Sequence, residues 1–238
     1  MDNSERSIAI MQPYIFPYLG YFQLINAVDE FIFYDDVNFI KRGWINRNKI
    51  LINSQEHLIS FPCIKASQNK LIKEIKIDLL NKQYEKNLDS IKLAYKKSPY
   101  FKYVYPLVEK VFSENHNTIA DLCIDSVKSI TGYLNLNTEF KISSENFQET
   151  KNYKKNERLK KITCFENCSI YINTVGGKEL YDKSDFKASG IDLYFLNPNL
   201  QPYQQFNHEF VPRLSIIDVL MFNSKEECKE LLKNYHLE

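Results

Sequence analysis

An α/β fold is predicted for this chain, with a Rossmann-like, mostly parallel sheet and an inserted or appended helical segment. Three observations carry that prediction. The chain opens on two short apolar runs, residues 8–12 and 30–35, separated by a helical stretch over about 20–28. Two parallel strands joined by a helical crossover have this pattern. A run of helical patterns occupies the middle, from about 82 to 134. Strand and helix patterns then alternate again to the C-terminus, the rhythm of a doubly wound sheet.

The elements follow in order. Residues 48–52 and 57–64 are expected as further strands, the second ending at Pro62, and the alternation from Leu71 to Ile77 predicts an edge strand. Leu88, Ile91 and Tyr95 give residues 82–98 a helical spacing, broken at Ser98-Pro99. Pro99 suits the first turn of a helix over 100–114. The next helix, 117–134, turns Ile119, Leu122, Val127 and Ile130 inward and Asp121 and Asp125 outward, ending near Gly132. A strand over 138–143 runs to Ser143-Ser144, followed by a helix over 156–165. A strand over 169–172 leads into Thr174-Val175-Gly176-Gly177, a short helix over 184–189 closes on Gly190, and 191–196 is a strand. Pro198, Pro202 and Pro212 make 197–213 a loop, and two helices, 215–223 and 224–235, finish the chain. One compact domain is expected, in three parts: an N-terminal α/β half with the ligand crevice (1–80), a helical segment (81–137) and a C-terminal α/β half (138–238).

Composition narrows the function classes. With 31 basic and 30 acidic side chains, the chain lacks the basic excess of a general nucleic-acid binder. The N-terminus MDNSERS has no apolar stretch behind a basic start, and no run nears the ~20 apolar residues of a membrane helix. No signal peptide and no membrane segment are therefore expected. The five cysteines are irregularly spaced and complete no zinc pattern, so no metal site is expected, and reduced thiols fit a cytoplasmic location. Cys63 has no histidine neighbour in sequence to activate it.

The candidate chemistry gathers at predicted strand ends, where α/β proteins place ligands. Gln12 and Tyr14 follow the first strand, with Tyr18 and Tyr21 beyond. They either line a pocket or form a rigid aromatic turn. Asp35 and Asp36 follow the second strand, as general bases, ligand acceptors or turn residues. Side chains alternate along a strand, so at most one of the two is expected in any given pocket. Lys41, Trp44, Asn46 and Arg47 combine cations for a phosphate, an amide and a flat ring for a sugar or base. The C-terminal loop adds Tyr203, Gln205, Arg213 and His208, the last a candidate general base because histidine titrates near neutrality. Ser215 reads as an N-cap, with Asp218 as its reciprocal partner in the first turn.

These residues resemble the WbqC-like protein family. The resemblance rests on Met11-Gln12-Pro13-Tyr14 with Phe16 to Ile25, Tyr34-Asp35-Asp36-Val37, Lys41 to Asn48, Ser143-Ser144, Arg158-Leu159, Tyr181 after Gly176-Gly177, Tyr203 with Gln205, and Leu214 to Asp218. His57 departs from the aromatic residue expected there. The resemblance implies a role in bacterial surface-polysaccharide synthesis, such as that of O-antigen, and acyl or aminoacyl transfer to the amine of a nucleotide-linked sugar. A coenzyme A thioester or a carrier protein would be the acyl donor, and the cofactor is left open. Ser143 joins the expected substrate-binding residues. A second resemblance is architectural, to HIGH-motif nucleotidyltransferases and pantothenate-synthetase-type amide ligases, and implies ATP-dependent chemistry. Their His-x-Gly-His is here Tyr18-Leu19-Gly20-Tyr21, and tyrosine cannot supply the histidine's positive charge. A non-catalytic protein that holds a precursor or a partner enzyme is the third expectation.

Overall fold

A computed structural model describes residues 5–206 and 209–238. The chain opens β1 (Ser7–Met11), α1 (Leu19–Asn26) and β2 (Glu30–Phe33), then forms a hairpin of β3 (Arg47–Ile52) and β4 (Gln55–Ser60) and a two-residue ladder of β5 (Cys63–Ile64) and β6 (Lys76–Ile77). Three helices follow: α2 (Gln83–Tyr95), α3 (Phe101–Ser113) and α4 (Ile119–Leu134). The α/β alternation resumes with β7 (Glu139–Ile142), α5 (Ser143–Asn146), α6 (Lys155–Phe165), β8 (Ile170–Thr174), α7 (Lys183–Lys187) and β9 (Asp192–Pro198). Helices α8 (Ile216–Phe222) and α9 (Lys225–Lys233) and strand β10 (Tyr235–Leu237) complete it.

Six of these strands form one sheet, ordered β10-β9-β8-β1-β2-β7. Five are parallel, and β10 pairs antiparallel to β9 at the edge. Strand order runs outward in both directions from the β1/β8 pair, which makes this a Rossmann-like sheet with its topological switch point between those two strands. Along β1, Ile8 and Ile10 pack into one apolar cluster and Ala9 and Met11 into the other, so the strand is buried on both faces. The larger cluster runs from Ala9 through Val108 and Ile130 to Leu232, joining residues from all three predicted segments. Thr118 caps α4 through a reciprocal box with Asp121, and Asn135 ends it in the left-handed region at φ 51°. No helix among the described residues is long and apolar enough to cross a membrane.

Several predicted elements are corrected. The 71–77 segment is no continuous edge strand: Ile72–Glu74 is a 3-10 turn held by the Glu74 carboxylate on the Leu71 N–H, and only Lys76–Ile77 forms a strand. The expected 57–64 strand is two, because Pro62 has no N–H to continue a ladder. Asn53 and Ser54, at φ 49° and 64°, make the tight turn of a hairpin. The last helix stops at Lys233, and Tyr235–Leu237 becomes β10 because the free edge of β9 offers its backbone partners.

Candidate functional site

The aromatic loop after β1 is held open by strain that its neighbours fix in place. Phe16 is buried with φ 39°, a region costly for a side chain with a Cβ. Its N–H donates to Ser126 Oγ at 3.1 Å. Its carbonyl accepts from Asn48 Nδ2 at 2.5 Å and from Ser215 Oγ at 2.7 Å. Asn48 also donates to the Ile15 carbonyl at 2.9 Å, and the Ile15 N–H donates to Ile45 O at 3.1 Å. The loop therefore cannot relax, and Pro17 and Tyr18 are presented at the end of the sheet. Tyr18 lies across the start of α1: a Cβ at Gly20 would sit 2.5 to 2.6 Å from its ring and hydroxyl. Only glycine admits that approach.

A cavity of about 440 Å³ lies here, at the carboxyl ends of β1, β8 and β9. Tyr14, Tyr18 and Trp44 supply aromatic surface, Asn48 and Asn197 amides, and Arg213 the cation. Burial raises the pKa of Tyr14 and of Tyr18, and for Tyr18 the nearby Arg213 charge works in the opposite direction. Both phenols are thus protonated at neutral pH and act as donors. Arg213 adopts φ 60°, so this cation too sits on a constrained backbone. A larger cavity, about 860 Å³, lies at the other end of the sheet around Asp29 and Glu230, away from the switch point.

The paired aspartates form a separate, closed network. They lie beyond the end of β2, where strand alternation no longer separates them, and both reach Ser143. The expectation that adjacent positions face opposite ways is corrected on that ground. Ser143 Oγ lies 3.0 Å from Asp35 Oδ1 and 2.5 Å from Asp36 Oδ1. Asp35 also accepts from the Ser144 N–H at 3.0 Å and its hydroxyl at 2.7 Å, at the start of α5. Asp36 accepts from Arg158 at 2.6 Å. Arg158 is itself buried, donates to Thr150 Oγ1 at 3.1 Å and stacks 5.0 Å from the Tyr34 ring centre. Both carboxylates are buried, and neither lines the crevice.

Asp218 centres a third network. It is fully buried and accepts from Tyr95 at 2.8 Å, Tyr203 at 2.7 Å and Gln205 at 2.6 Å. Gln205 Oε1 accepts the Val211 N–H at 2.7 Å, closing the loop between β9 and α8 on itself. That loop delivers Leu200 and Arg213 to the crevice. Burial raises the Asp218 pKa, and the three donors oppose it. The expected Ser215–Asp218 capping box is absent, because the carboxylate turns inward; Ser215 instead caps through the Ile217 N–H.

Residues 12–230 match the model of the WbqC-like protein family. The chain belongs to that family. It is also 27% identical over 231 residues to the uncharacterized protein Rv1507c of Mycobacterium tuberculosis (strain ATCC 25618 / H37Rv), covering 96% of this chain and 98% of that one. No solved structure matches it.

In this WbqC-like chain the residues predicted from sequence divide among these networks. Tyr14, Tyr18 and Trp44 line the crevice. Tyr21 does not: its ring is buried and its hydroxyl donates to the Gln12 carbonyl at 2.9 Å. Gln12 lies outside the lining, with its buried Oε1 unpaired among the described residues. Asn46 donates to Phe61 O at 2.8 Å and Arg47 Nε to Gly43 O at 3.1 Å, so both brace the turn that carries Trp44. Lys41 is exposed on that turn. Ser143 belongs to the aspartate network, and Tyr203 and Gln205 to that of Asp218. His208 lies outside the described residues. Asn48, Val175 and Asn197 are lining residues that sequence reasoning missed. Asn48 had a signal, since the run Asn46-Arg47-Asn48 is unusual for a plain surface strand.

Proposed function

We propose that this WbqC-like protein binds a nucleotide-linked amino sugar in the crevice and acylates its amine during synthesis of a bacterial surface glycan. One observation carries the reading: Tyr14, Tyr18, Trp44 and Arg213 converge at the switch point of the sheet. Flat rings suit a base and a sugar, and the guanidinium fork suits a diphosphate. Family membership supports the surface-glycan context. With a thioester donor, the amine nitrogen forms the C–N bond, the C–S bond breaks, and the amine's proton leaves with the thiol. The donor is a coenzyme A thioester or a carrier protein. Tyr14 and Tyr18, kept protonated by burial, serve as donors to phosphate or carbonyl oxygen. Tyr203 and Gln205 shape the site by holding the loop that carries Arg213, whereas Asp35, Asp36 and Ser143 stand in a network apart from the crevice. His208 is the group proposed to accept the ammonium proton.

Calorimetry with UDP- and dTDP-amino sugars tests the binding. Arg213→Ala is expected to weaken it by about 1.5–3 kcal/mol, the worth of a hydrogen bond to a charged group. Unchanged affinity removes Arg213 from the site. His208→Ala is expected to retain binding and to lose turnover by roughly 10²–10⁴-fold. Tight sugar-nucleotide binding with no turnover on any thioester would favour a precursor-holding role. Pyrophosphate release from ATP–Mg would overturn the thioester route.

A further inference from the structure

Charge is segregated along this chain. Residues 38–73 hold seven Lys and Arg against one acid, Glu56, a net of +6 (7 − 1) in a chain of net +1. Backbone contacts bring two tracts of this stretch together. Asn38 bridges to Leu71, the Phe39 N–H donates to Lys70 O at 2.9 Å and the Ile72 N–H to Val37 O at 2.9 Å. The Gly43 N–H closes a turn on Ile40 O, and Lys41 and Arg42 stand exposed on it. Of the seven cations only Lys49 forms an ion pair among the described residues, with Glu56. The adjoining segment adds exposed Lys76 opposite Ile64 together with the acids Glu74 and Asp78, and leads into a turn at Leu79 and Leu80, so that residues 38–80 keep a net of +5 (8 − 3).

Large apolar side chains stand exposed within the same region. Ile40, Trp44 and Ile64 are about half exposed, Leu79 is 52% exposed and Leu80 is 96% exposed. Leu80 packs on almost nothing. A protein partner would need one contiguous complementary groove for these separate side chains. A bilayer deforms around each of them, and its headgroups neutralise the cations between. Stable peripheral attachment takes both signals, apolar insertion and a basic patch. We propose that this face, around the 40–44 turn, the 65–73 tract and Leu79-Leu80, seats the protein on an anionic phospholipid surface. The proposal goes beyond the crevice chemistry and holds whatever the crevice binds.

Flotation of the full chain with vesicles tests it, comparing phosphatidylcholine alone with phosphatidylcholine containing phosphatidylglycerol. Anionic vesicles are expected to bind roughly tenfold or more tightly than neutral ones, with added salt weakening the difference. Lys65→Glu with Lys70→Glu is expected to lose roughly tenfold or more on anionic vesicles. Leu79→Ser with Leu80→Ser is expected to abolish the binding that survives high salt. Both pairs are exposed or nearly so, and an unchanged melting curve confirms that the variants are folded. No binding at low salt, equal binding to both vesicle types, or either double variant binding like the parent overturns the proposal. Capture by an acidic carrier protein with no vesicle binding does so too.

Discussion

Asp36 and Arg158 are held together by burial as much as by charge. An ion pair at 2.6 Å with both side chains nearly sealed from water leaves a naked guanidinium if the carboxylate is neutralised. Asp36→Asn is therefore expected to lower stability by about 3–5 kcal/mol in urea unfolding. A catalytic base would behave differently, losing turnover while keeping its stability, so the two measurements together assign the residue. Asn48 makes a smaller case. Its amide holds both the Ile15 and Phe16 carbonyls, and Asn48→Ala is expected to cost about 1–3 kcal/mol, read as a shift in the urea midpoint. The sequence placed the aspartates at a strand end, as the structure does, and the structure gathers Tyr14, Tyr18 and Trp44 around one cavity. The sequence offered no means of seeing that both carboxylates are occupied. Their partners Ser143 and Arg158 lie 107 and 122 positions from Asp36, and spacing does not encode such contacts.

Among the elements, the loop between β9 and α8 depends most on a single group. Its described residues form no helix or strand, and Asp218 anchors it through Tyr203 and Gln205. The native pKa of Asp218 is raised above its usual 3.8, chiefly by burial. The native state thus holds this proton at pH values where the unfolded chain has released it. Its stabilising contribution is full below pH 3.8 and is lost as pH rises through the native pKa. Stability relative to Asp218→Asn is expected to decline across that window and then level off, measured by urea melts over a pH series. Helix and strand periodicity located most elements to within a few residues. It failed at β10, where three residues after a strongly patterned helix are extended only because β9 has an open edge. It also missed the hairpin turn, since Asn53-Ser54 is a weaker signal than Asn-Gly.

Over the whole molecule, alternating patterns made the α/β class legible, while the order of the strands was not. Order is decided by which edges remain free as the sheet grows, and β8 pairs with β1 across more than half the chain. The crevice inherits that dependence. Phe16 is buried in the loop that presents Pro17 and Tyr18 to it, yet one hydroxyl that holds its carbonyl belongs to Ser215, 199 residues later. On a ribosome adding about 5–20 residues per second, the aromatic loop emerges roughly 10–40 s before its clamp exists. During that interval Asn48 and then Ser126 are available to hold Phe16, but the Ser215 contact to its carbonyl is missing. A chain ending just short of residue 215 would carry every residue that lines the crevice but not this last clamp on its aromatic loop. Quality control of this protein therefore bears on its last two dozen residues, although none of them lines the crevice and half of its lining comes from the first fifty.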